Sequence, residues 1–239
     1  AVPLKAIPQL DEWLTIFLSI LDRGGLAQRE LYLEVPAAGQ PADDTLVLEG
    51  IRRLGQSPTG SRGTVGAKFR CGGVTPEAFP PVQRLADIID QGRLLDLALK
   101  FTAGLHHPVR HKAQKPDVMM HGFLNVFGAG LLAYVLAADR STLAACLGET
   151  DPSAFTFSAE GFGWRDLAVS SADIERIRDG YLGGFGSCSF EEPCQDLEEI
   201  GRHPVCTQGL GLSPSCPRDG HAPISSQEIQ GPVHLLPVP

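Results

Sequence analysis

Apolar residues recur along the chain in two alternating rhythms. Leu10, Leu14, Phe17, Leu18 and Leu21 form a stripe at helical spacing, ended by Gly24-Gly25. RELYLEVP (29–36) then alternates as a strand and is closed by proline. A second stripe at Val47, Ile51 and Leu54 predicts a helix over 43–55, with an Asp/Thr start and Gly55 at its end. GAKFRCGGV (66–74) reads as a strand running into a glycine turn, PPVQRLADIIDQG (80–92) as a proline-opened helix, and LALKFTAGL (97–105) as the next strand. AVPLKAI (1–7) and GGFGSCSF (183–190) read as a first and a last strand.

A longer excursion interrupts the alternation. Residues 121–147 predict a helix, 155–169 a hairpin turning at Glu160-Gly161, and Ser170-Ser171-Ala172-Asp173 a capped helix start with Ile174 and Ile177 inward. Beyond about residue 198 the period vanishes and Pro, Gly and Ser dominate. A βα-repeat domain over 1–197, with an insertion at 121–169, is therefore expected to precede a poorly ordered tail at 198–239.

Repeated strand–helix units imply an α/β fold with a parallel sheet and right-handed crossovers. Five strands fall short of the eight of a closed barrel, and the chain opens without methionine inside the pattern. The expected fold is TIM-barrel-like and incomplete, its first part missing. An open doubly wound parallel sheet satisfies the same strands.

Composition narrows the function classes. A net charge of -8 with interleaved signs leaves no footprint for nucleic acid or an anionic membrane. The longest apolar run, FLNVFGAGLLAYVLAA (123–138), is short for a membrane span, and Asp11-Glu12 before WLTIFLSIL is the wrong flank for a secretory signal. The six cysteines form no CxxC pair and no usual zinc spacing, which suits reduced thiols. The expectation is a soluble, cytoplasmic protein, with a small-molecule substrate, no cofactor and a homo-oligomeric state left open.

Candidate chemistry comes from side-chain parity. On three strands the apolar residues Leu31/Leu33/Val35, Ala67/Phe69/Cys71 and Leu97/Leu99/Phe101 oppose Tyr32/Glu34, Lys68/Arg70 and Ala98/Lys100/Thr102. Glu34, Lys68, Arg70 and Lys100 are thus expected to converge on one face, at the C-terminal strand ends where α/β sites form. The bland alternative is that these charges only neutralise one another.

KFRCGG, KFTAGL and FGSCSF occur in that order, and these strands resemble those of class I aldolases of the deoxyribose-phosphate type. The resemblance implies a carbon–carbon lyase, with Lys68 as the Schiff-base lysine and Lys100 as its cationic neighbour. It departs from the family at Phe69-Arg70, at GLHHPVRH in place of a glycine-rich phosphate turn, and at Glu191-Glu192. The chain as a whole, with TAGLHHPVRH, MHGFLNVF and FGSCSFEEP, also resembles a family of uncharacterised bacterial proteins. Beside the resemblance, a cation next to a lysine in a dry site favours the neutral, nucleophilic amine. Arg70 suits a substrate carboxylate, and Glu34 a general base or the counter-charge of Lys100.

His106, His107, Ser187 and Cys188 complete the candidate substrate-binding set at the strand ends. Two alternatives stay open. His106, His107, His111 and His121 with Cys188 or Glu34 suggest a metal- or His-dependent hydrolase or isomerase, although adjacent histidines on an extended segment point opposite ways. The other is a non-catalytic barrel fragment.

Overall fold

A computed structural model describes residues 1–25, 30–37, 40–56, 64–115, 117–186 and 191–200, with the backbone alone at 185 and 186. Helix α1 (Leu10–Arg23) and strand β1 (Leu31–Glu34) are followed by α2 (Pro41–Gly55), β2 (Val65–Arg70), α3 (Val82–Leu94) and β3 (Ala98–Thr102). Each helix arises at its predicted stripe. Leu10 and Leu14, Val47 and Ile51, and Leu85 and Ile89 are buried together in one core. Residues 1–7 form no strand. Pro3 and Pro8 leave the segment without two backbone donors, so it tightens into a 3-10 turn over Leu4–Gln9. Val2 still meets the sheet, its N–H donating to the Glu34 carbonyl at 2.9 Å.

After β3 the chain makes an unforeseen hairpin, β4 (His111–Gln114) with β5 (Asp117–Met120). The single helix expected over 121–147 is two, α4 (Phe123–Leu136) and α5 (Arg140–Gly148). Ala137 breaks it by entering the left-handed region at φ 50°, and the Asp139 carboxylate caps α5 through the Thr142 N–H. The expected hairpin gains a strand and becomes the meander β6 (Phe155–Phe157), β7 (Gly161–Trp164) and β8 (Leu167–Ser170), because Arg165 at φ 51° makes a second tight turn. Helix α6 (Ser171–Gly180) is capped as predicted, the Ser170 hydroxyl accepting from the Asp173 N–H. Strand β9 (Leu182–Gly186) and helix α7 (Glu191–Glu199) follow, the latter reaching into the region expected to be tail. Residues 201–239, which hold most of that tail, lie outside the described residues.

The central sheet is parallel, in the order β1-β2-β3-β9. It has four strands where five were expected, and among the described residues it does not close into a barrel. The order also never reverses, as a doubly wound sheet requires. Right-handed crossovers that all step the same way leave their helices on one face. Leu33, Ala67, Phe69, Leu99 and Phe101 are buried on that face, and Phe101 packs edge-on against Phe127 of α4 at 6.4 Å. Helix α4 is buried nearly all round; its Asn125 is fully bonded, taking the Arg110 N–H and donating to the Cys146 and Glu149 carbonyls at 2.8 Å each. No helix among the described residues is long and apolar enough to cross a membrane.

The opposite face is curled. Tyr32 of β1 lies against Gly66 of β2, where a Cβ would meet the ring at 2.7 Å, and its hydroxyl stands 3.0 Å from a Cβ placed on Gly183 of β9. In a flat sheet β1 and β9 would be three spacings apart, roughly 14 Å, beyond the reach of a tyrosine. The face that carries the charges is therefore concave.

Candidate functional site

Strand register places the charged residues in rows across this concavity. Tyr32, Gly66 and Ala98 are partners in the lower row, Glu34, Lys68 and Lys100 in the next, and Arg70 and Thr102 in the last. Parallel strands put successive members of a row about 4.8 Å apart. Glu34, Lys68, Arg70 and Lys100 thus share one face at the C-terminal half of their strands, as parity implied.

Their pairing differs from expectation. Glu34 Oε2 accepts from Lys68 Nζ at 2.7 Å, so the carboxylate assigned to Lys100 is taken by Lys68. Lys100 Nζ lies 5.5 Å from the centre of the Tyr32 ring and, among the described residues, has no carboxylate within ion-pairing distance. The ring face supplies the negative potential that holds this ammonium. Burial, then the nearby Glu30 charge, pushes the Tyr32 phenol above its ordinary range, so the ring stays neutral. Arg70 is exposed, and the Thr102 hydroxyl is enclosed without a hydrogen-bond partner among the described residues. The rows thus bring Lys68, Lys100 and Arg70 onto one face with Glu34, and the Glu30 carboxylate lies near Tyr32 beside them.

The turns that end β2 and β3 are in direct contact. A Cβ on Gly104 would stand 2.9 Å from the Gly72 Cα, and the Cys71 N–H donates to the Thr102 carbonyl at 2.8 Å. Ala103 at φ 63° and Gly104 at φ 71° turn the chain away immediately after Thr102. The left-handed alanine costs roughly 1–2 kcal/mol that surrounding packing offsets.

The histidines are engaged elsewhere. His106 Nδ1 lies 3.4 Å from Glu192, and His107 Nδ1 bonds to Asp196. Both side chains meet helix α7, contrary to the opposed directions of an extended segment, because the chain bends at 107 while Glu192 and Asp196 lie one helical turn apart on one face. His111 stacks edge-on against His107 at 4.3 Å. His121 is fully buried, donating from Nε2 to the Pro80 carbonyl at 2.7 Å while Nδ1 accepts from Arg110 at 3.1 Å. Its burial pushes it down to about 4, so it is a neutral structural group. No group of three or more His, Cys, Asp or Glu among the described residues is placed to hold a metal ion. Cys71 and Cys146 are buried thiols raised by desolvation, whereas Ser187 and Cys188 lie outside the described residues.

Sequence reasoning missed Asp44, Arg84 and Asp196. Arg84 of α3 forks onto the buried Asp44 of α2 with two contacts of 2.8 Å, and also donates to the Pro36 and Ala37 carbonyls just beyond Glu34. This fork fixes the loop that follows β1. Its signal in the sequence was an aspartate and an arginine inside apolar stripes, without the spacing that would pair them.

Compared with protein-family models, curated proteins and solved structures, the chain matches none of them.

Proposed function

We propose that the chain is a carbonyl enzyme of the lysine-imine kind, a carbon–carbon lyase acting on a small anionic carbonyl compound. The observation that carries this reading is the register row Glu34–Lys68–Lys100, with the carboxylate 2.7 Å from Lys68. The unreversed strand order and the curl of the sheet support a barrel-type scaffold, whose strand ends are where such sites form.

The chemistry follows from the row. Glu34 takes a proton from the Lys68 ammonium, and the free amine adds to the substrate carbonyl carbon to give a carbinolamine. Glu34 returns the proton to the carbinolamine hydroxyl, which leaves as water, and the lysine nitrogen keeps one proton as an iminium. No net proton is gained or lost. Glu34, a carboxylate again once water has left, takes the proton of the substrate hydroxyl one carbon beyond the breaking bond. That fragment leaves as an aldehyde, and the bond's electron pair moves into the iminium to give an enamine. Glu34 returns the proton to the enamine carbon before water releases the second fragment. Lys100 and Arg70 hold the substrate's anionic group.

The test is borohydride trapping with a panel of small 2-oxo acids and hydroxyaldehydes, read by intact mass and peptide mapping. One adduct at Lys68, lost in Lys68→Leu, is expected. An adduct that persists in Lys68→Leu but disappears in Lys100→Leu reverses the two roles. Absence of any adduct leaves the row as an ion-pair ladder and ends the imine reading. The His107–Asp196 pair favours a second reading, a His-dependent hydrolase or isomerase, which predicts activity that survives Lys68→Leu and is lost in His107→Gln.

A further inference from the structure

A second concavity lies away from the lysine row. Phe127 and Leu131 of α4, Phe157 and Phe162 of the small meander, and Ile174 of α6 wall an open cleft of about 490 Å³. That volume is in the range of small-molecule sites. Phe157 is 41% exposed, so the cleft opens to water across an aromatic wall. The lining is apolar apart from Arg178, in the last turn of α6, which makes no ion pair among the described residues. Beyond Arg178 the surface continues into a shallower recess bordered by Glu175 and Asp179.

The geometry points to a binding site for a small monocarboxylate with an unbranched alkyl or aryl body. The apolar walls take the body, and the guanidinium at the mouth takes the carboxylate through paired N–H donors. A guanidinium beside an apolar surface selects an anion over an alcohol of equal size. Glu175 and Asp179 repel any second carboxylate that projects past Arg178 into the recess. The ligand class is thus set at both ends, apolar inside and singly negative at the rim. This site is independent of the lysine row and stands whether or not an imine forms there.

Isothermal titration of the full chain with octanoate, octan-1-ol, octylammonium and octanedioate tests the assignment. Octanoate is expected to bind saturably, one per chain, about tenfold or more tighter than octan-1-ol. Octylammonium and octanedioate should bind no better than the alcohol. Arg178→Gln should bring octanoate down to the level of the alcohol without changing the alcohol, and Arg178→Lys should restore part of the difference. Arg178 is exposed, so neither change threatens the fold. Ile174→Trp, which fills the cleft, should weaken octanoate and octan-1-ol alike. Equal binding of octanoate and octan-1-ol, tight binding of octanedioate, or octanoate affinity unchanged in Arg178→Gln overturns the proposal. So does a folded Ile174→Trp variant that binds octanoate normally.

Discussion

Glu34 binds Lys68 at 2.7 Å, and the neighbouring Lys100 is held over the ring of Tyr32 instead. Two ammonium groups in register on adjacent strands are thereby kept in place by two different devices, one ionic and one aromatic. A double-mutant cycle distinguishes them. Glu34→Gln with Lys68→Met should show a coupling of about 1 kcal/mol in urea denaturation, as partly exposed pairs do. Glu34→Gln with Lys100→Met should be additive within experimental error. Coupling of Glu34 to Lys100 rather than to Lys68 would mean that the pairing is misassigned.

Gly66 is required by the crossing of Tyr32. A Cβ there would stand 2.5 Å from the Ala98 carbonyl oxygen and 2.7 Å from the tyrosine ring. The carbonyl cannot yield without disturbing the β2–β3 ladder. Gly66→Ala should cost about 2–3 kcal/mol by chemical denaturation, and Tyr32→Leu in the same chain should recover only a fraction. A stable Gly66→Ala variant would show that the sheet is less curled than described.

Asp44→Ala should be among the most damaging single changes. It removes the carboxylate from a fork in which Arg84 is only 13% exposed, leaving a guanidinium without its counter-charge. A loss of about 3 kcal/mol is expected, because breaking a buried pair strands a charge. Replacing both residues, as Asp44→Leu with Arg84→Met, should cost less than Asp44→Ala alone.

His121 gives stability a pH dependence of known sign. Its folded value of about 4 lies below the ordinary value of 6.5, so the unfolded chain binds the proton first. Its contribution is complete above pH 6.5 and declines as pH falls toward 4, by roughly 3 kcal/mol in all. NMR of the ring should find Nε2 protonated, Nδ1 bare, and no titration down to pH 5. An inflection near 6.5 would contradict its burial between Pro80 and Arg110.

Asp90 behaves with the same sign at lower pH. Burial raises its carboxyl, but bonds from Arg140 and Arg93 outweigh this and hold it below the ordinary range. The stability it provides is present above the unfolded value of 3.8 and is lost as pH falls through the lower folded value. The destabilisation of Asp90→Asn, measured by denaturation, should therefore be constant from pH 8 to 5 and shrink below about pH 4.

Period and parity carried the helices α1, α2, α3 and α6, the three charged strands, and the face on which Glu34, Lys68, Arg70 and Lys100 meet. These are properties of spacing within one segment. What escaped depended on partners distant in sequence or on single backbone torsions. Ala137 and Arg165 adopt left-handed conformations that their residue types do not advertise, so one helix became two and one hairpin became a meander. Proline at 3 and 8 outweighs the apolar character of residues 1–7, which by itself suits a strand. The choice of Glu34 for Lys68 over Lys100 is a matter of strand neighbourhood, since β1 borders β2 and not β3.

Gly104 is wedged against Gly72, and Cys71 is bonded to Thr102, so the strands bearing the two lysines are tied together at their ends as well as along their ladder. With Lys68 and Lys100 fixed as register partners on that shared frame, the gap between the two ammonium groups is set by side-chain torsions, which turn without any strand being displaced.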